Sequence, residues 1–208
     1  MPAPIVVYSD FNCPFCYALN EELHRLDIAE RLSWRGVQHA PGLPAPLVAW
    51  NGELTEALER EVAAVRRLAP ELPIEAPTGK PNTTRAIRAA ALALGMDRRR
   101  GYVFKDSLYR AFWCRGADLS EFETLDRLAA EAGFTGLSFA RLDRHEIAAP
   151  TSAWQSEWEQ SGCRAVPALV RPDGTRLVGF HGRVRTVQFL QAEIGLGSAG
   201  GTPVTQEA

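Results

Sequence analysis

The sequence predicts an α/β protein in which a large all-helical segment interrupts the strand-containing part. Three observations predict this fold class: a strand, helix and strand pattern opens the chain, no convincing strand pattern occurs from about Leu54 to Pro150, and a strand pair with a closing helix follows Gly162. The chain has 208 residues, of which 46% are hydrophobic and 23% are charged. This length and composition suit one substantial globular domain and exclude wholesale disorder or a fibrous repeat.

The first strand is predicted over residues 4–9, which are rich in β-branched and aromatic side chains. From Pro14 onward, large apolar residues recur at helical spacing and predict a helix to about Glu30. A second strand is expected over residues 32–39, and the proline-rich run of residues 40–46 then ends regular structure. The tight turn between the first strand and the first helix contains two cysteines.

The middle of the chain has helical signals throughout. Ser120-Glu-Phe-Glu123 has the form of a capping box at the start of one helix. We therefore predict a helical insertion domain over residues 51–150, flanked by a domain built from residues 1–50 and 151–194. The other helices predicted in and beside this insertion cover residues 54–68, 83–94, 102–115, 139–147 and 152–160.

Strand signals return after the helical segment. Residues 166–170 and 176–180 are predicted to pair as a hairpin around the turn Pro172-Asp-Gly174, and a closing helix is expected over residues 184–193. The tail, residues 195–208, has little to pack and is predicted to be disordered.

Charge balance and hydropathy exclude several classes of protein. There are 23 basic and 25 acidic residues, so the net charge is −2 and the basic excess of a duplex nucleic-acid binder is missing. No apolar stretch approaches the roughly 20 residues that a membrane span requires. The N-terminal residues lack the positively charged start of a secretory signal. We therefore expect a soluble, cytoplasmic protein with neither nucleic-acid nor membrane partners.

Cys13 and Cys16 form a Cys-x-x-Cys motif at the predicted start of the first helix. This spacing puts both sulfur atoms on one side of the first helical turn, within the distance that a disulfide requires. The helix N-terminus stabilises a thiolate at Cys13, which makes Cys13 the expected nucleophile. Cys16 lies one turn further along, where it is less exposed, and is the expected resolving thiol.

A zinc site or an incidental pair of buried cysteines is the alternative interpretation of this motif. A structural zinc site usually takes four ligands as two close pairs, whereas Cys114 and Cys163 are isolated in the sequence. We therefore favour redox chemistry and expect no metal. The histidines His24, His39 and His181 are interpreted as surface or structural residues, and none of them is predicted to be catalytic. For His39, which follows the second strand beside Pro41, a proton shuttle near the thiols is the alternative interpretation.

Three stretches of the chain resemble a known family. They are Val6-Val-Tyr-Ser-Asp-Phe-Asn-Cys-Pro-Phe-Cys-Tyr17, Ala165-Val-Pro-Ala-Leu169 and Gly179-Phe-His-Gly182. They resemble the DsbA-type thiol-disulfide oxidoreductases, and more narrowly the cytoplasmic FrnE-like branch, in which a helical domain interrupts a thioredoxin fold. The likeness extends over nearly the whole chain up to the tail, and its most specific part is the stretch with the two cysteines.

The resemblance implies a thioredoxin fold with a large all-helical insertion and a thiol-disulfide oxidoreductase activity. It assigns the roles of attacking and resolving thiol to Cys13 and Cys16, and it places Val166 and Pro167 in a cis-proline loop opposite them. In this fold that loop offers backbone hydrogen bonds to an extended substrate, a form of strand addition. The implied substrate contacts are Pro14, Phe15, Val166 and Pro167, and the implied partners are protein or small-molecule thiols and disulfides.

A second activity stays open because a related group resembles the same chain. Kappa-class glutathione transferases and 2-hydroxychromene-2-carboxylate isomerases share these features, but they commonly carry a serine where Cys13 stands and bind glutathione as a cofactor. The complete Cys-Pro-Phe-Cys of this chain favours the oxidoreductase, since an isomerase has no evident need for a resolving cysteine. No cofactor is then required, and glutathione is expected at most as a redox partner.

Overall fold

A computed structural model describes residues 4–141 and 148–194 of the chain. Four short strands in these ranges form one mixed sheet: β1 (Val6–Ser9), β2 (Ser33–Gly36), β3 (Ala168–Val170) and β4 (Arg176–Val178). Their order across the sheet is β2-β1-β3-β4. Strand β2 runs parallel to β1, β3 runs antiparallel to β1, and β4 runs antiparallel to β3.

Strand β1 lies between β2, from the first part of the chain, and β3, from its last part. Val7 is paired with Trp34 of β2 on one side and with Leu169 of β3 on the other. All three side chains are buried. The continuous apolar run of β1 is typical of a strand in the middle of a sheet that is covered on both faces.

Seven α-helices accompany this sheet in the described part of the chain. The described residues from Leu54 to Arg141 contain no strand, which confirms the predicted helical segment over that range. The helices are α1 (Pro14–Arg25), α2 (Glu53–Leu68), α3 (Thr84–Met96), α4 (Arg98–Arg115), α5 (Phe122–Glu131), α6 (Ala148–Gln160) and α7 (Arg183–Ile194).

Helices α3 and α4 pack at very short range. A Cβ atom built on Gly101 of α4 would lie 2.6 Å from the backbone nitrogen and Cα of Leu94 in α3. Small residues of α3, including Ala86, Ala90 and Ala93, are completely buried. The helices therefore approach each other closely because glycine and alanine leave room for the backbones.

The first helix ends earlier than predicted, at Arg25 and not at about Glu30. Asp27 has a φ of 53°, a left-handed conformation that ends the helix. The amide of Ile28 donates to the carbonyl of Leu23 at 3.1 Å, and the amide of Asp27 donates to that of His24 at 2.9 Å, which together form a Schellman motif. A short 3₁₀ turn follows before β2.

Two predicted helix starts in the middle of the chain are wrong. Helix α4 begins at Arg98 and not at Tyr102, because the side chain of Asp97 caps it by accepting from the amide of Arg100 at 3.0 Å. Its first turn is polar, so apolar spacing did not reveal it. The capping box is also wrong: the Ser120 hydroxyl donates to Asp118 at 2.7 Å, and α5 starts after it.

The remaining boundaries differ in smaller ways. The helix predicted over residues 139–147 is seen only as a 3₁₀ turn over Phe139–Arg141, and residues 142–147 lie outside the described residues. Helix α6 begins at Ala148 and not at residue 152.

The predicted tail, residues 195–208, also lies outside the described residues, and the division into two domains remains a prediction. No described helix is long and apolar enough to cross a membrane.

The predicted hairpin is present, with strands shorter than expected. Its first strand begins at Ala168 because Pro167 has no amide hydrogen to offer to a neighbouring strand. The amide of Gly179 donates to the carbonyl of Pro167 at 2.8 Å and so connects the end of β4 to the residues preceding β3. Strand β2 is likewise confined to Ser33–Gly36 within the predicted range of 32–39.

Candidate active site

The two motif cysteines lie where β1 leads into α1. Cys13 occupies the N-cap position of α1 in an extended conformation, and Pro14 occupies the first helical turn, where a missing amide hydrogen costs nothing. The carbonyl of Cys13 accepts hydrogen bonds from the amides of Cys16 at 3.1 Å and Tyr17 at 3.2 Å. Both cysteines are free thiols, with exposed fractions of 5% for Cys13 and 1% for Cys16. The sequence therefore predicts their local arrangement correctly.

The surroundings of Cys13 favour its thiolate. Burial acts to raise the pKa of Cys13, but the hydrogen bond from the Cys16 thiol and the positive charges of His39 and Lys80 lower it by more. Its pKa consequently lies below the ordinary value for a cysteine. The positive end of the α1 helix dipole adds to the stabilisation of a negative charge at this position.

Cys16 has the opposite character. Burial, the hydrogen bond to Cys13 and the charge of Cys13 raise its pKa well above the ordinary value. The amide of Asp10 donates to the Cys16 sulfur at 3.4 Å. Behind Ser9 lies the buried hydroxyl of Tyr109, at 2.6 Å from the Ser9 oxygen. The two thiols therefore differ in protonation, with Cys13 the more acidic of the pair.

A loop from the other end of the chain faces Cys13. The Cys13 thiol lies 3.6 Å from the carbonyl oxygen of Val166, and the peptide bond between Val166 and Pro167 is cis. Both loop residues are buried, whereas Phe15 on the helix side is half-buried. The structure thus brings together all six residues that the sequence nominated: Cys13, Pro14, Phe15, Cys16, Val166 and Pro167.

A groove of about 240 Å³ opens beside the Cys13 thiol. The sequence did not predict most of the charged residues that line this groove. Lys80 is buried, with an exposed fraction of 7%, and its ammonium group lies 2.6 Å from a carboxylate oxygen of Glu61. The residues that line the groove are Cys13, Pro14, Phe15, His39, Glu61, Lys80, Trp158, Arg164, Ala165 and Val166.

One of these residues, His39, is held by a buried carboxylate. The Asp10 side chain has an exposed fraction of 0%, and one of its oxygens accepts from both Nδ1 of His39 at 2.8 Å and the amide of His39 at 3.0 Å. The other oxygen accepts from the hydroxyl of Thr83 at 2.6 Å. Burial acts to lower the pKa of His39, but the hydrogen bond to Asp10 and the charge of Asp10 raise it by more.

Sequence reasoning set His39 aside in favour of a structural role, and it missed Asp10, Lys80 and Thr83 as parts of the site. One signal could have indicated the first two. They follow the carboxyl ends of β1 and β2, and those ends of parallel neighbours lie at the same edge of a sheet. Lys80 and Thr83 reach the site from the segment that leads into α3, and no spacing in the sequence announces that approach.

The other two cysteines, Cys114 and Cys163, are not members of the motif. The thiol of Cys114 lies 3.2 Å from the hydroxyl of Tyr17 and donates to the carbonyl of Pro73 at 3.2 Å. Cys163 is buried. In residues 4–141 and 148–194, no group of three or more His, Cys, Asp or Glu side chains is arranged to hold a metal ion.

Comparison with models of known protein families assigns the chain to one of them. The model of the DsbA-like thioredoxin domain matches residues 4–193. The chain belongs to this family. The match covers the whole sheet, all the helices but the last residue of α7, and both segments that face the groove.

Three solved structures are similar to this DsbA-like chain in fold. A probable DsbA oxidoreductase, SCO1869 of Streptomyces coelicolor, has a TM-score of 0.72 at 20% identity, covering 98% of this chain and 93% of that one. The cytosolic disulfide reductase DsbM of Pseudomonas aeruginosa, also solved with GSH, has a TM-score of 0.67 at 16% identity, covering 93% and 99%. A 2-hydroxychromene-2-carboxylate isomerase has a TM-score of 0.67 at 17% identity, covering 92% and 95%.

Proposed function

We propose that this DsbA-like protein is a thiol-disulfide oxidoreductase that exchanges disulfides through Cys13 and Cys16. The observation that carries the proposal is the asymmetry of the two thiols: Cys13 borders the groove and has a lowered pKa, while Cys16 is more deeply buried and has a raised pKa. A thiolate is the attacking species in disulfide exchange, and a protonated buried thiol is suited to act second.

In the reducing direction, the Cys13 thiolate attacks one sulfur of a substrate disulfide. The substrate S–S bond breaks, a mixed disulfide between Cys13 and the substrate forms, and the first substrate thiolate leaves with a proton. Cys16 then loses its proton and attacks the Cys13 sulfur. The mixed disulfide breaks, the Cys13–Cys16 disulfide forms, and the second substrate thiol is released. The oxidising direction runs through the same steps in reverse.

The loop with Val166 and Pro167 is the proposed contact for the substrate backbone. Its support is the 3.6 Å distance between the Val166 carbonyl oxygen and the Cys13 sulfur, because a chain bound to this carbonyl would lie next to the reacting atom. Pro14 and Phe15 border the same groove from the helix side. The half-buried Phe15 ring suits an apolar side chain of a protein substrate.

The proposed partners are protein or small-molecule thiols and disulfides, without a required cofactor, in the cytoplasm. The cytosolic assignment of DsbM, which has a similar fold, supports this location.

The test is to equilibrate the protein in graded glutathione buffers, to alkylate the free thiols and to count the labels by mass. We expect a species that has lost two labels, mapped by peptide analysis to Cys13 and Cys16. The midpoint gives the reduction potential of the pair, which separates an oxidant from a reductant. If Cys13 and Cys16 never form a mutual disulfide at any buffer ratio, the oxidoreductase proposal fails.

A glutathione-dependent isomerase or transferase is the second candidate. Its support is the charge of the groove, where Lys80, Arg164 and His39 could receive carboxylates, together with the fold shared with the isomerase and with the GSH-bound DsbM. In that case Cys13 would stabilise or replace the glutathione thiolate. An activity that saturates with glutathione, requires Cys13 and survives Cys16→Ser would favour this candidate over disulfide exchange.

A further inference from the structure

The Asp10 carboxylate accepts three hydrogen bonds from two neighbours. Thr83 occupies one oxygen, and His39 occupies the other through both its ring and its backbone amide. Asp10 is completely buried and does not line the groove. Its charge can therefore influence a bound substrate or Cys13 chiefly through the imidazole that it holds.

His39 is oriented by these bonds. Since Nδ1 donates to Asp10, the ring has a defined tautomer when neutral, and Nε2 is the nitrogen left to gain or lose a proton. His39 borders the groove together with Cys13, and its positive charge acts on the thiol. Asp10, His39 and Cys13 thus follow one another in the order carboxylate, imidazole and thiol, with His39 and Cys13 on the wall of the same groove. An imidazole in such a position can exchange a proton with a nucleophile directly or through one bound water.

We propose that the Asp10–His39 pair activates Cys13, with His39 holding the proton that Cys13 gives up and Asp10 positioning His39. The proposal rests on Cys13 being the attacking thiol of the proposed function. The Cys13 proton passes to the imidazole, the resulting thiolate attacks the substrate disulfide, and the imidazolium returns the proton to the first thiolate that leaves. The proton count balances, and no external acid or base is needed for this half of the exchange.

Other charges near His39 do not replace it. Lys80 also stabilises the Cys13 thiolate, but its ammonium group is paired with the Glu61 carboxylate at 2.6 Å, and that carboxylate offsets part of its charge. The imidazole of His39, by contrast, changes its charge near neutral pH. The charged and titratable groups that contact His39 or border the same groove are Asp10, Cys13, Glu61, Lys80 and Arg164.

The first test compares the pH profile of Cys13 alkylation in the reduced wild type and in His39→Gln. At about pH 6.5 we expect His39→Gln to react roughly three- to ten-fold more slowly, because the thiolate has lost its imidazolium. As the pH rises the two rates should converge, because Cys13 becomes ionised in both proteins. His181→Gln is the matched control, since the His181 ring contacts the carbonyl of Val178 and does not line the groove.

Asp10→Asn tests the positioning role separately. It keeps the size of the side chain but removes the charge that favours the imidazolium, so it should slow alkylation at low pH in the same direction as His39→Gln. If the variant does not fold, nitrogen NMR of the wild-type imidazole gives the same information. We expect a neutral ring protonated at Nδ1 and a midpoint above that of an ordinary histidine.

An alkylation profile of His39→Gln that matches the wild type overturns the proposal. A rate that falls equally at every pH also overturns it, because such a fall would indicate altered access to the thiol. A neutral His39 ring protonated at Nε2 overturns the role of Asp10. These failures are distinct from failure of the proposed function. In the latter case the wild-type protein itself forms no Cys13–Cys16 disulfide.

Discussion

The carbonyl oxygen of Val166 lies 3.6 Å from the sulfur of Cys13, although 153 positions separate the two residues in the chain. The contact exists because β1 and β3 are neighbours in the sheet, so that the loop before β3 and the loop after β1 meet. The chain segment between the two loops, which includes helices α2 to α5, packs without separating them. The reacting thiol and its proposed substrate contact therefore depend on the pairing of the first and third strands.

Single cysteine substitutions separate the two proposed roles. Cys13→Ser should reduce disulfide exchange to background, because the attacking sulfur is absent. Cys16→Ser should retain the first attack and accumulate a mixed disulfide, because nothing resolves it. Non-reducing gels and intact mass after incubation with a disulfide substrate measure both outcomes. Cys163→Ser is the matched control and should behave as the wild type, whereas equal trapping in Cys13→Ser and Cys16→Ser would contradict the assignment.

The two motif thiols should label in different pH ranges. The Cys13 pKa is lowered, so its thiolate is present above that lowered value and is lost as the pH falls through it. The Cys16 pKa is raised, so Cys16 should stay a thiol, and unreactive, until the solution is strongly alkaline. Alkylation of the reduced native protein followed by peptide mass analysis gives both profiles. The unfolded protein is the control, and coincident native profiles for Cys13 and Cys16 would contradict the proposed asymmetry.

Removal of the Tyr109 hydroxyl should destabilise the protein. Tyr109→Phe leaves the buried Ser9 hydroxyl without its partner at 2.6 Å, and the expected loss in free energy of unfolding is about 1–2 kcal/mol. Urea unfolding measures this loss. Tyr8→Phe is the matched control, because the contact of the Tyr8 hydroxyl with Arg35 is long, at 3.5 Å, and its expected effect is below about 0.5 kcal/mol. Equal losses in the two variants would show that the Ser9–Tyr109 contact contributes nothing specific.

The close approach of α3 and α4 should make Gly101 intolerant of a side chain. Gly101→Ala would place a methyl group 2.6 Å from the Leu94 backbone, so the helices must separate, at an expected cost of about 2–3 kcal/mol. Gly95→Ala in α3 meets nothing within 4 Å and should stabilise the helix by about 0.5–1 kcal/mol. Thermal and urea unfolding of both variants measure these changes. A Gly101→Ala protein as stable as the wild type would rule out the tight packing.

Local sequence predicted the elements whose signals are contained within a few residues. The apolar run of β1, the proline at the start of α1 and the Pro172-Asp-Gly174 turn each act through neighbouring residues, and the structure agrees with them. Helix ends were less predictable. The end of α1 depends on the left-handed conformation of Asp27, a residue type that gives a weaker stop signal than glycine.

The sequence by itself determined the candidate reactive pair, because Cys13 and Cys16 lie within one helical turn and their proposed chemistry follows from that spacing and from the helix N-terminus. Only the tertiary structure decided what surrounds them. His39, Lys80 and Asp10 act on the thiols through short-range contacts and charge, and these require the loop after β2 and the segment before α3 to meet the end of β1. Such convergence depends on sheet order and helix packing, which no local pattern in the chain encodes.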